Sequence, residues 1–105
     1  MTKVRYRRED GKLGLDVRGH AGQAEKGSNS VCAGVSMLAW TLIECAMAEP
    51  DFHADYEVNP DTPSYTLLCI PDKAAKDRCR ALFETMLTGY KLLAREYPDF
   101  VSVEM

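Results

Sequence analysis

The sequence offers little with which to hold a metal. It has only two histidines, His20 and His53, and its four cysteines, Cys32, Cys45, Cys69 and Cys79, form no Cys-x-x-Cys pair. Zinc sites draw their ligands from closely spaced pairs of that kind, so no metal and no other cofactor is expected. Positive charge is also not in excess. Thirteen Lys and Arg stand against sixteen Asp and Glu, for a net charge of −3, which removes the basic footprint of a nucleic-acid binder. The longest apolar run, around Val35 to Ile43, falls short of the ~20 residues that span a bilayer. No apolar segment follows the opening Met-Thr-Lys-Val-Arg-Tyr-Arg-Arg, so neither a signal peptide nor a membrane association is expected. Linkers, repeats and low-complexity segments are missing as well. A cytosolic protein is expected, with its cysteines as reduced thiols rather than a disulfide framework.

What is present suits one domain over residues 1–105, with a 46% hydrophobic share that fits an ordinary globular core. Residues 3–8 alternate, with Val4 and Tyr6 on one side and Lys3, Arg5 and Arg7 on the other, the solvated face of an edge strand. Asp10-Gly11 is a tight hairpin turn, and Leu13, Leu15 and Val17 alternate in a second strand. Ser28-Asn29-Ser30 supplies candidate N-caps for a helix whose buried face is Val31, Val35, Leu38, Leu42 and Cys45, and Pro50 ends it near Glu49. Phe52 to Val58 alternates as a third strand, with His53, Asp55 and Glu57 on its solvated face. Residues 59–63 turn the chain into a more central fourth strand, Tyr65 to Ile70. Asp72 can cap a second helix with the stripe Ala75, Cys79, Leu82, Met86, Tyr90 and Leu93, and Phe100 to Val103 makes a last strand. The order β-β-α-β-β-α-β predicts an α+β, two-layer fold, a five-stranded sheet with two helices packed on one face.

Chemistry concentrates where the second strand runs out into Gly19-His20-Ala21-Gly22 and the first helix begins at Val31-Cys32-Ala33-Gly34-Val35-Ser36. A thiol near a helix N-terminus meets a partial positive charge and unpaired N–H groups. An imidazole nearby could protonate a leaving amine, and the same N–H groups could hold an oxyanion. Asn29 could orient the His20 ring, or merely cap the helix. Ser36, one turn after Cys32, could reach the substrate, or merely fill a helix–sheet contact. Residues 21–29, with Gly22 and Gly27, have the composition of a mobile loop. Cys45, Cys69 and Cys79 read as core and His53 as surface, so Cys32 is the candidate nucleophile.

Gly19-His20-Ala21, Gly27 and Val31-Cys32-Ala33-Gly34-Val35-Ser36 together resemble the signature of the ribosomal-processing cysteine protease family, Prp, and the order and length of the elements resemble it over the whole chain. The resemblance implies a homodimeric cysteine endopeptidase. Its partner would be the N-terminal segment of a large-subunit ribosomal protein, an extension removed by cutting after aromatic residues. It also implies catalytic roles for His20 and Cys32, a supporting role for Ser36, and a substrate-gating loop containing Gly22 and Gly27. One residue departs from the pattern: the family usually has aspartate where this chain has Asn29, which can orient an imidazolium but not stabilise it by charge. Two other classes fit the residues: a ribosome-associated binding module without catalysis, and a thiol-redox protein using Cys32. The second lacks a nearby resolving cysteine.

Overall fold

Asp10 and Gly11 have φ of 45° and 77°, the positive values that a two-residue hairpin turn requires at both central positions. The turn joins β1 (Thr2–Glu9) to β2 (Lys12–Arg18) in antiparallel register, with Val4 opposite Val17 and Tyr6 opposite Leu15. The computed structural model describes residues 1–19, 28–61 and 63–104, the side chains of Ser28 and Asn29 excepted. In it, β3 (Asp55–Asn59) and β4 (Ser64–Cys69) form a second antiparallel pair, and β4 docks antiparallel on β2. The last strand, β5 (Val101–Glu104), lies parallel to β1. The mixed sheet runs β3-β4-β2-β1-β5.

Register sorts the side chains into two faces. Val4, Tyr6, Leu15, Val17, Tyr65 and Leu67 share one face, on which α1 (Ser28–Met47) and α2 (Lys76–Glu96) both pack. Tyr6 stacks on Phe83 of α2, ring centroids 5.9 Å apart, and Tyr65 bonds to α1. The other face carries Lys3, Arg5, Arg7, Asp16, Arg18, Asp55 and Glu57, with Arg7 and Asp16 paired at 3.0 Å. The two helices lock together where the Tyr90 hydroxyl donates to the Val35 carbonyl at 3.0 Å. Gly34 of α1 faces Leu93 of α2 closely enough for a methyl group to fit at ordinary contact distance.

The expected α+β architecture is present, with five differences of detail. β1 is an inner strand along Thr2–Arg5, because β5 returns beside it after the α2 crossover. The expected third strand starts later. Pro50–Phe52 forms a 3-10 turn, with Pro50 fixing its start, and His53 closes it in the left-handed region at φ 46°. Asp72 makes no side-chain cap; its carboxylate instead bonds His53 Nε2 at 2.8 Å, and a 3-10 turn at Lys73–Ala75 precedes α2. The stripe of α2 also includes Phe83 and Leu87. Cys45 is exposed, not core, because α1 buries Val31, Val35, Ala39, Leu42, Ile43 and Ala46. That helix is apolar almost all round: Ser30–Met47 is long and apolar enough to cross a membrane by length and composition, though 33% of it is buried here.

Candidate active site

The end of β2 is held from two sides. Gly19 takes φ 92°, its N–H donates to the Pro63 carbonyl at 2.9 Å, and its carbonyl accepts from the Thr2 hydroxyl at 3.0 Å. A Cβ at this position would stand 2.6 Å from the Met1 carbonyl oxygen, so only glycine fits without displacing backbone. This fixes where the chain leaves the sheet toward His20. His20 itself, with Gly22 and Gly27, lies outside the described residues.

Cys32 is the fifth residue of α1, two or three positions further in than an N-cap at Ser28-Asn29-Ser30 predicts, because Ser28, Asn29 and Ser30 already belong to the first turn. Helical Cα–Cβ bonds tilt toward the N-terminus, so the thiol still leans back toward the turn whose N–H groups lack helical acceptors. The side chain is half-buried and lines a cavity of about 390 Å³. Val17 of β2 and Gly19 at its end, Val35, Ser36 and Trp40 of α1, Pro60 and Pro63 of the turn after β3, and Tyr65 of β4 line it.

Ser36 is not simply a small residue filling space. The Tyr65 hydroxyl donates to its Oγ at 3.0 Å, tying β4 to α1 one helical turn beyond Cys32. Trp40, a further turn along, meets Tyr65 edge-on at 6.0 Å and Tyr56 at 6.2 Å. The cavity beside the thiol therefore has an aromatic wall with one hydroxyl pair set into it, suited to an apolar or aromatic side chain. Trp40 and Tyr65 escaped the sequence reading. Trp40 had a signal, two helical turns from Cys32 on one face, whereas the approach of Tyr65 depends on the β2–β4 register.

The other thiols are placed differently. Cys69 and Cys79 are fully buried, and burial pushes the Cys69 thiol up to about 12, with Cys79 as a further cause, and raises that of Cys79. Cys45 is exposed on the outer side of α1, away from the cavity lining. Among the described residues no three metal-ligating side chains converge. The structure thus brings Cys32, Ser36 and Gly19 to one cavity and leaves Cys45, Cys69, Cys79 and His53 outside its lining.

Comparison with known proteins agrees with this arrangement. A sequence model of the family "Cysteine protease Prp" matches residues 1–102. The ribosomal processing cysteine protease Prp of Bacillus subtilis (strain 168) is 26% identical over 103 residues, covering 95% of this chain and 91% of that protein. A crystal structure from Streptococcus mutans is similar at TM-score 0.79 and 28% identity, covering 99% of this chain and 92% of that one. The S. aureus ribosomal processing protease Prp with a covalently linked product peptide shares the fold at TM-score 0.79 and 21% identity, covering 99% and 98%. With a thiol in an aromatic-walled cavity and a family match across nearly its whole length, the chain belongs to the Prp family of cysteine proteases.

Proposed function

We propose that this cysteine protease removes the N-terminal extension of a large-subunit ribosomal protein, cutting after aromatic residues, with Cys32 as nucleophile and His20 as its acid–base partner. The observation that carries the reading is the position of Cys32, half-buried in a cavity whose wall is Trp40 and Tyr65. The name of the Bacillus subtilis relative, a ribosomal processing cysteine protease, supports a ribosomal substrate.

In this mechanism the Cys32 thiolate attacks the scissile carbonyl, and N–H groups at the start of α1 hold the oxyanion. His20, as imidazolium, gives its proton to the leaving amine, which departs and leaves a thioester on Cys32. His20 then deprotonates a water that attacks the thioester, and the acid product leaves as the proton returns to the thiolate–imidazole pair. Asn29 orients the imidazole, and the Tyr65–Ser36 bond fixes the cavity wall against which the substrate aromatic lies. The reading includes a homodimer in the cytoplasm. Met37 and Met47, 61% and 49% exposed on the outer face of α1, offer apolar surface for the second copy.

The test of substrate is cleavage of a synthetic peptide copying that extension, beside a copy with alanine for the aromatic residues. One cut, after an aromatic residue and in the first peptide only, is expected. Equal cleavage of both would contradict the specificity. Sedimentation of the protein at micromolar concentration reads the dimer.

A further inference from the structure

β3 is an edge strand, paired with β4 and with no other strand among the described residues. Its outward N–H and C=O groups are a template on which another extended chain can pair. Val58 and Asn59 at the end of this strand also line the Cys32 cavity, so the open edge and the cavity are continuous. The two faces of the strand differ. Tyr56, 42% exposed, meets Trp40 on the helix side. Asp55 and Glu57 project on the helix-free side and are exposed.

Read from sequence, these acids form a solvated strand face. The register adds that their cross-strand neighbours are Leu68 and Thr66, so no cation stands opposite either carboxylate. Neither makes an ion pair among the described residues. Asp61, exposed in the turn that follows, adds a third negative charge. A second copy pairing through its own β3 would bring acids against acids, which is destabilising across a strand pair. The charge asks for a basic partner, and the open edge asks for an extended one.

We infer that the β3 edge is a docking strand for the substrate chain, taking an extended peptide whose basic side chains alternate with apolar ones. Period-two alternation puts the basic residues opposite Asp55 and Glu57 and the apolar ones against Tyr56 and Trp40. Pairing along β3 then leads the chain past Val58 into the cavity at Cys32. The inference rests on the protease reading for its direction toward Cys32, and the docking itself is tested without turnover.

A Cys32→Ala protein is titrated with a fluorescent peptide of alternating lysine and leucine, and with an analogue carrying serine for each lysine. At low salt the lysine peptide is expected to bind at least tenfold tighter, and added salt should narrow the gap. Asp55→Lys with Glu57→Lys should erase that preference, with the circular dichroism spectrum unchanged as the control for folding. N-methylation of alternate backbone amides in the peptide should weaken binding in one phase of the alternation only, as pairing on a strand edge requires. Equal affinity for the two peptides, or a preference that survives the double charge reversal, would overturn the inference, as would a change of oligomeric state in that variant. Failure of the protease reading shows separately, as wild-type protein that cleaves no peptide.

Discussion

Tyr65 hydroxyl to Ser36 Oγ, at 3.0 Å, is the contact at the site that sequence spacing could not supply. Tyr65→Phe removes one hydrogen bond while keeping the ring against Trp40. It should lower stability by about 1 kcal/mol and reduce kcat/KM several-fold, read by urea unfolding and peptide cleavage; unchanged kinetics would make the bond purely structural. The thiols give a second test at this scale. Iodoacetamide should label Cys32 and Cys45 in the native protein and reach Cys69 and Cys79 only after unfolding, since burial keeps these two protonated. That Cys32 was the candidate could be read from its place before an apolar helical run. That Cys45 faces outward could not. α1 is apolar on nearly every side, and such a helix does not reveal which stripe it buries.

At the scale of elements, alternation and turn chemistry made most of the sheet legible. The Asp10-Gly11 turn follows from its residue pair, the β1 and β2 faces from period-two patterning, and the inner place of β4 from its apolar run. The same patterning misled at Phe52, where alternation continues through a 3-10 turn set by Pro50 and closed by His53. The parallel return of β5 beside β1 has no local signal, because a crossover is specified by packing of α2 and not by the residues of the strand. Glycines separate two kinds of constraint within the site's own elements. Gly34→Ala should stabilise the protein by roughly 1 kcal/mol, since helix propensity improves and the added methyl meets Leu93 at 3.5 Å. Gly19→Ala should destabilise it by about 2 kcal/mol or more, combining left-handed strain with backbone contact at Met1. Thermal unfolding of the two variants reads both signs, and similar shifts would contradict the packing described for the end of β2.

For the whole molecule, one core beneath a single sheet carries groups that must stay protonated. Burial raises Cys69 to about 12, and raises Cys79 and the Tyr6 hydroxyl. Above the pH at which a free thiol ionises, the unfolded chain holds fewer protons than the folded one, so stability should fall as pH rises from about 9 toward 12. Urea midpoints at pH 8 and pH 10.5 measure this, and a flat profile would contradict the burial of the pair. The charge on the sheet is also uneven, basic on β1 and, among the described residues, acid without an ion pair on β3, and the substrate approach inferred above depends on that polarity.

The proposed cleavage depends on Cys32 as the nucleophile. The most direct measurement is rapid acid quench of wild-type protein with a cleavable peptide, followed by mass mapping. The predicted result is a transient adduct with the mass of the N-terminal substrate fragment less water, located on the tryptic peptide containing Cys32, absent in Cys32→Ser and greatly slowed in His20→Ala. An adduct on another residue, or cleavage by Cys32→Ser at the wild-type rate, would contradict it.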